Sequence, residues 1–286
     1  MQVNYALQTN GTLIDKKWAA FLAANNFLVG LSLDGPKDIH DKTRLDAGNK
    51  GTFERVMGTA NLFDEYNVEY NILCVVNTYV AEEISRIYKF FGKSNFKYLQ
   101  FIPCLDPLDE APGSYPFSLT PRKYAFFLKT LFDLWYNDLA HGNTVSVRYF
   151  DNLVMMLAGY PSESCGMTGI CQPYFVIEAN GGVYPCDFYC TDQWHLGNIL
   201  ETDFDMIKKS DRTRKFEEVS KHVDPACRGC KWRNLCRGGC RRNREPFVDG
   251  RPALNYYCSA FKEFFEYSEE RLVMVANNFR NRQSVF

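Results

Sequence analysis

The sequence predicts an α/β protein that starts with a parallel sheet and crossover helices and continues into a loop-rich, cysteine-ligated region. Three observations support this fold class. Strand-like and helix-like segments alternate over residues 1–105, nine of the 11 cysteines fall within residues 165–258, and an amphipathic segment lies near the end of the chain. Hydrophobic residues make up 46% of the 286 residues, so a chain of this length can fold on its own core without staples.

The segments of the first part follow the order β-α-β-α-β-α-β, which implies parallel strands. We predict strands at residues 3–9, 27–35, 68–77 and 97–105, and helices at residues 13–25, 52–66 and 81–93. Functional side chains of such a sheet collect at the carboxyl ends of its strands. The residues at these ends are Thr9, Asn10, Ser32, Asp34, Asn77, Leu105 and Asp106.

The first predicted strand begins almost at the start of the chain. Nothing precedes it to cover its outer edge, which would leave an exposed parallel edge. We therefore expect that earlier βα units are missing from this chain or come from elsewhere, and that the chain alone is poorly soluble.

Longer helices follow. Residues 121–140 predict a helix whose inward face carries Phe126, Leu128, Leu131, Phe132 and Trp135, and residues 147–159 predict another. From Cys165 onward the composition predicts short strands and turns, and residues 259–281 predict an amphipathic packing helix. We place a domain boundary between residues 160 and 161, which gives domains at 1–160 and 161–286.

The overall charge and the cysteine content limit the class of protein. Lys and Arg total 33 against 34 Asp and Glu, a balance that argues against a bulk nucleic-acid binder. We find neither a signal peptide nor an apolar run long enough for a membrane span, and expect a cytoplasmic protein. Thiols stay reduced there, so the cysteines are interpreted as metal ligands rather than disulfides.

Eight cysteines make two sets of four, which is the number that a zinc site or an iron–sulfur cluster requires. Four of them follow the pattern C-x2-C-x5-C-x3-C in CRGCKWRNLCRGGC, residues 227–240. Seven cations between residues 228 and 244 would offset the charge of either kind of site, and Gly238 and Gly239 allow backbone N–H groups to approach a sulfur. The spacing alone does not distinguish iron–sulfur clusters from structural zinc sites, including those of a basic zinc module that binds nucleic acid. We interpret Cys74 and Cys104 as buried small side chains, and the role of Cys190 stays open.

The order of these cysteines resembles the SPASM auxiliary domain of radical S-adenosylmethionine (SAM) enzymes. The segments LQTNGT, GLSLDGP, DKTRLD, FIPCLDP, RYFDNL, CGMTGIC, VYPCDFY and LNYYC resemble motifs of anaerobic sulfatase-maturating enzymes, across essentially the whole chain. The resemblance implies a partial (βα) radical SAM barrel that lacks its N-terminal strands, followed by a SPASM domain and a C-terminal helix.

The resemblance also implies cofactors and ligands. One auxiliary [4Fe-4S] cluster would be held by Cys165, Cys171, Cys186 and Cys240, and a second by Cys227, Cys230, Cys236 and Cys258. A third [4Fe-4S] cluster reduces SAM in this family, and its C-x3-C-x2-C ligands are absent from this sequence. We therefore expect that the chain does not cleave SAM by itself.

The same resemblance implies an activity and its site residues. The family oxidises a cysteine or serine of a target sulfatase, in a C/S-x-P-x-R type sequence, to formylglycine. Asp187 matches the general base, and Ser32, Arg44 and Leu105 match positions that contact SAM. A low-potential donor of ferredoxin or flavodoxin type is the implied electron partner, with no nucleic acid and no membrane. Another peptide-modifying radical SAM enzyme, or a non-catalytic metal-binding or electron-relay protein, stays open as an alternative.

Overall fold

Five strands form a parallel sheet in the first part of the protein, whose computed structural model describes residues 3–108 and 110–283. The spatial order of the strands is their order along the chain: β1 (Ala6–Thr9), β2 (Leu28–Ser32), β3 (Glu69–Val76), β4 (Tyr98–Pro103) and β5 (Ser146–Val147). Every pair is parallel, which confirms the predicted fold class. The strand β5 was not predicted, because two residues are too short for an alternation pattern.

Helices connect the strands as the alternation predicted. They are α1 (Lys16–Ala24), α2 (Lys37–His40), α3 (Phe53–Tyr66), α4 (Thr78–Glu82), α5 (Ile84–Lys93), α6 (Pro121–Ala140) and α7 (Arg148–Leu157). Helix α1 packs against α3, and α4 and α5 pack against α6. The short helix α2 is an addition to the prediction. It lies in the loop after β2 and places His40 next to Asp34, whose backbone N–H donates to His40 Nδ1.

The core of this part comes from strand residues that are apolar on both faces of the sheet, as covered parallel strands require. Ile72 and Leu73, which are adjacent in β3 and therefore on opposite faces, are both buried, as are Phe63 and Phe91 from the helices. Burying each side chain of this size contributes roughly 1.5–3 kcal/mol to folding.

The predicted inward face of α6 is wrong at one position. Phe126 is 50% exposed, whereas Phe127, Leu131 and Trp135 are buried. The buried stripe runs through residues three and four apart, and Phe126 falls one position off that stripe.

The described residues form two compact units. The first contains the described residues up to Asp106 together with Pro112–Asp151 and Glu266–Ser268, and the second contains Pro107–Ala111, Asn152–Phe265 and the described residues from Glu269. The second unit holds a small antiparallel sheet of β6 (Val176–Ile177), β7 (Gly182–Tyr184) and β8 (Gly197–Asn198). The boundary at residue 160 stays a prediction.

The second unit also contains helices that the composition did not predict. They are α8 (Phe204–Lys208), α9 (Asp211–Ser220), α10 (Pro225–Arg228) and α11 (Arg233–Cys236), and the long α12 (Cys258–Gln283) follows close to its predicted bounds. Two small apolar clusters lie in this unit: one is Val183, Leu196 and Ile207, and the other is Tyr189, Trp194 and Phe216. None of the helices described is long and apolar enough to cross a membrane.

Candidate iron–sulfur and SAM sites

Two cavities in the second unit collect the eight clustered cysteines in two groups of four. The lining of the first, which encloses about 550 Å³ up to its open mouth, includes Cys165, Cys171, Cys186 and Cys240. The lining of the second, of about 350 Å³, includes Cys227, Cys230, Cys236 and Cys258. These are the two sets that the family resemblance implied.

The cysteines reach these cavities from short local structures. Cys165 and Asp187 each open a single 3-10 turn, and Cys236 ends helix α11. Cys240 follows two glycines. Gly239 has a φ of +68°, and a Cβ atom there would lie 2.5 Å from the side-chain Nδ2 of Asn255. A glycine is therefore required at 239 to let the chain turn.

None of the eleven cysteines, all of which lie in the described residues, forms a disulfide. Burial raises the pKa of Cys186 to about 12 and the pKa of Cys236 and Cys240 to about 11. Backbone N–H groups oppose this effect: the N–H of Arg242 donates to Cys240 Sγ at 3.4 Å, and the N–H of Gly238 lowers the pKa of Cys236. Such donors stabilise thiolate ligands of a metal centre, which agrees with the predicted role of the Gly238–Gly239 pair.

The donor set fits an iron–sulfur group better than a lone carboxylate or histidine site, because each cavity offers four sulfurs and backbone donors. No group of three or more His, Cys, Asp or Glu side chains is gathered around a single ion position in the described residues. In a four-iron cluster each cysteine binds a different iron, so the shared cavity is the relevant test of fit.

Asp187 lies beside the first cavity, exposed, directly after Cys186. Its Oδ1 accepts a short hydrogen bond from the hydroxyl of Tyr174 and lies 3.3 Å from Cys186 Sγ. The backbone N–H of Asp187 donates to the same hydroxyl at 3.0 Å, and that hydroxyl lies 3.4 Å from Cys186 Sγ. Tyr174 thus joins the predicted base to a predicted ligand. The sequence analysis missed it, although it lies three residues after Cys171.

Cys190 is exposed, and its thiol makes a weak contact of 3.7 Å with the carbonyl oxygen of Cys186. Of the other two cysteines, Cys74 is buried in β3, as predicted, and Cys104 is half-buried just after β4.

A second candidate site lies at the carboxyl edge of the parallel sheet in the first unit. Ser32 ends β2, and Leu105 lies two residues beyond β4. Arg44 pairs with the buried Asp34, from Nε to Oδ2 at 2.5 Å and from Nη2 to Oδ1 at 3.2 Å. The N–H of Val75 donates to the same carboxylate at 2.8 Å, which fixes Asp34 against β3.

The loop that carries Arg44 is held by a buried histidine. The N–H of Asp34 donates to His40 Nδ1 at 3.2 Å, and His40 Nε2 lies 3.0 Å from the hydroxyl of Thr52, which donates to the carbonyl of Arg44. Burial lowers the pKa of His40 to about 4, so the ring is neutral near pH 7. Gly35 makes this turn possible, with a φ of +128° and no room for a side chain against Ile87.

Not every predicted strand-end residue is available for binding. Asn77 caps helix α4 by accepting the N–H of Val80, and Asp106 accepts hydrogen bonds from Gly113 and Ser118. Thr9 and Asn10 accept hydrogen bonds within their own turn.

Comparison with known proteins identifies the family. Residues 169–231 match the SPASM model, described as an iron–sulfur cluster-binding domain. The chain is 50% identical over 280 residues to the cysteine-type anaerobic sulfatase-maturating enzyme of Clostridium perfringens, covering 98% of this chain and 76% of that protein. It belongs to the anaerobic sulfatase-maturating enzymes.

Members of this family are oxidoreductases of the radical SAM type. A solved structure described as native anSMEcpe with bound AdoMet and Cp18Cys peptide matches with a TM-score of 0.96 and 50% identity, over 98% of this chain and 77% of that one. The serine-type anaerobic sulfatase-maturating enzyme of Bacteroides thetaiotaomicron is 30% identical, over 99% of this chain and 72% of that protein. Iron–sulfur and SAM chemistry therefore belong to the family of this chain.

Proposed function

We propose that this chain serves in the oxidation of a target residue of a sulfatase to formylglycine, with cysteine as the favoured target. The support for cysteine is the similarity itself: 50% identity to a cysteine-type relative against 30% to a serine-type one. We propose a C-x-P-x-R type sequence on the substrate and a low-potential ferredoxin- or flavodoxin-type electron donor.

The observation that carries the proposal is the grouping of the cysteines. Eight thiols line two cavities as four and four, and the candidate base Asp187 lies beside one of them. We propose that each set holds a [4Fe-4S] cluster, which would accept electrons removed from the substrate. A third such cluster, for SAM, would need ligands that this sequence does not contain.

Asp187 is suited to take a proton from the substrate thiol. It is exposed, so a peptide can reach it, and its carboxylate is held by the Tyr174 hydroxyl. A base fixed beside an electron-accepting site can remove the proton where the electron leaves. SAM, when bound, supplies the oxidant that removes a hydrogen atom from the β-carbon of the target residue.

At the sheet edge, Ser32, Arg44 and Leu105 would bind SAM. The guanidinium of Arg44 is suited to the carboxylate of this ligand, and Asp34 holds it in a fixed direction. His40 and Thr52 keep the loop in place without adding a charge, since the histidine is neutral.

The test joins the chain to an N-terminal segment that supplies C-x3-C-x2-C ligands, with the chain alone for comparison. The joined protein is incubated with a C-x-P-x-R peptide, SAM and a reductant, and the peptide mass is measured. A mass change that corresponds to formylglycine is expected. An unmodified peptide in the presence of cleaved SAM would contradict the substrate assignment.

The role of Asp187 is tested with Asp187→Asn. Loss of a general base typically lowers the rate 10²–10⁴-fold, and we expect such a loss while SAM cleavage and iron content persist. Asp192→Asn is the matched control, because Asp192 is also exposed and also opens a 3-10 turn of the second unit. Equal product formation by both variants would remove Asp187 from the mechanism.

A further inference from the structure

Arg241 is a buried cation enclosed by aromatic rings. The residue is 2% exposed, and its Cζ atom lies 4.4 Å from the ring centroid of Phe216 and 4.8 Å from those of Tyr189, Trp194 and Phe247. Ring faces stabilise a guanidinium, which is always protonated in proteins. Arg241 is therefore a fixed positive charge inside the second unit.

The hydrogen bonding of this guanidinium is incomplete. One terminal nitrogen, Nη1, donates to the carbonyl oxygen of Phe216 at 3.0 Å. Its Nε–H is buried and has no hydrogen-bond partner within the described residues. The neighbouring Glu245 accepts the hydroxyl of Tyr189 at 2.9 Å, and burial raises the pKa of Glu245 while the charge of Arg241 opposes that rise. A buried charge in this condition is costly unless a further anion compensates it.

The place where such an anion would lie is the first cavity. Arg241 follows Cys240 directly in the chain and lines the cavity together with the four cysteines. Arg244 lines the same cavity, but its three side-chain nitrogens donate to the carbonyl oxygens of Ala253, Ser220 and His222.

We propose that Arg241 is the buried countercharge of the group held by Cys165, Cys171, Cys186 and Cys240, and that it raises the reduction potential of that group. The inference rests on the proposed function, in which these cysteines hold a [4Fe-4S] cluster. A cluster with four thiolates carries net negative charge, and each electron it accepts adds to this charge. A fixed cation in a poorly solvated site stabilises the reduced form more than the oxidised form.

Arg241 is thus a positioning residue that acts through the cluster and does not contact the substrate. Its Nε–H has no hydrogen-bond partner in the described residues, and a hydrogen bond from such a group to a sulfur ligand would raise the cluster potential as well. The aromatic rings keep the guanidinium at a constant position, and lysine, a point charge without the planar fork, would reproduce only its charge.

The experiment compares Arg241→Gln, which removes the charge, with Arg241→Lys, which retains it. The full chain is purified without oxygen, reconstituted with iron and sulfide, and titrated electrochemically while electron paramagnetic resonance follows each reduced cluster. Cys227→Ser combined with Cys258→Ser removes two ligands of the second set and identifies the signal of the first. Arg237→Gln is the control, because Arg237 is exposed and solvent screens its charge.

We expect a more negative potential for the first cluster in Arg241→Gln, a value closer to the parent chain in Arg241→Lys, and little change in Arg237→Gln. An unchanged potential in Arg241→Gln with full iron content would overturn the proposal. If Arg241→Gln loses the cluster while Arg241→Lys retains it, the result supports the need for a positive charge. If both variants lose the cluster, the proposal is overturned, because the shape of the arginine and not its charge is then what matters. A parent chain without iron and sulfide would refute the proposed function first, and this inference with it.

Discussion

The proposed chemistry depends on the position of a single hydroxyl group, that of Tyr174. It contacts both Asp187 and Cys186 Sγ, so it sets the direction of the carboxylate relative to the first cavity. We expect Tyr174→Phe to lower the rate of product formation roughly 10–100-fold, the usual effect of removing a hydrogen bond that orients a metal-site residue. Iron content should not change.

Tyr184→Phe is the control for this prediction, because Tyr184 also belongs to the second unit and contacts the ring of His195. Rates are measured with the peptide assay described above. A Tyr174→Phe enzyme as fast as Tyr184→Phe would show that Asp187 needs no such support.

His40 makes the stability of the first unit depend on pH. Its folded pKa is about 4, whereas an unperturbed histidine titrates near 6.5. Between these values the unfolded chain binds a proton that the folded chain does not, so stability is present above pH 6.5 and is lost as the pH falls toward 4. The effect of this one residue is on the order of 3 kcal/mol.

The prediction is checked by the urea midpoint as a function of pH. The exposed His141 provides the control. His141→Gln should keep the slope of urea midpoint against pH that the parent protein shows, and His40→Gln should make that slope flatter. Equal slopes in all three proteins would contradict the assignment of the pH effect to His40.

At the scale of elements, helix α9 supports the first cavity. Its Phe216 and Ser220 line this cavity, and the hydroxyl of Ser220 accepts the N–H of Cys171 at 2.9 Å. Ser210 caps the helix by accepting the N–H of Thr213 at 3.2 Å. Removing such a cap costs about 1 kcal/mol.

We therefore expect Ser210→Ala to release iron from the first set of cysteines at a lower temperature than the parent chain. Ser210→Thr preserves a capping hydroxyl and should behave like the parent. Iron release is followed by the loss of cluster absorbance during heating. Identical release curves for Ser210→Ala and Ser210→Thr would mean that the cap does not support the site.

The elements also show which parts of the fold the sequence could predict. The strands β1–β4 and the helices α1, α3 and α5 have strong periodicity, so alternation alone located them, whereas the short helices α2 and α4 gave no such signal. Helix α9 has mostly charged residues, and its few buried positions give no apolar stripe to detect. The partnership of Tyr174 with Asp187 depends on tertiary folding across thirteen residues, which no local pattern reports.

The division of the cysteines was predictable only in part. Cys227, Cys230, Cys236 and Cys240 lie together in the chain, and their spacing alone does not assign each of them to a set. The cavities group Cys240 with Cys165, Cys171 and Cys186. The two glycines before Cys240 allow the chain to turn, and this turn explains why proximity in sequence does not decide the set here.

At the scale of the whole molecule, the edge beside β1 carries a cluster of exposed aromatic rings. Tyr5 stacks on Phe27, which also contacts Phe21, and Phe21 contacts Trp18. Tyr5, Trp18 and Phe21 are each about half exposed. A contiguous apolar patch of this kind promotes association, so we expect the chain to self-associate as its concentration rises.

This prediction is checked by light scattering. Trp18→Lys combined with Phe21→Glu should increase the monomer fraction, whereas Phe126→Glu, a change at an equally exposed phenylalanine of α6, should have a smaller effect. A parent chain that stays monomeric at all concentrations, with a reversible melt, would contradict it.

The central claim is that the eight cysteines hold two four-iron clusters, and the most direct test is the iron, sulfide and zinc content of the chain purified without oxygen and reconstituted. We expect roughly eight iron and eight sulfide per chain, and about half of each after Cys165→Ser combined with Cys171→Ser or after Cys227→Ser combined with Cys258→Ser. About two zinc per chain and no sulfide would contradict it, because the proposed electron acceptors would then be absent.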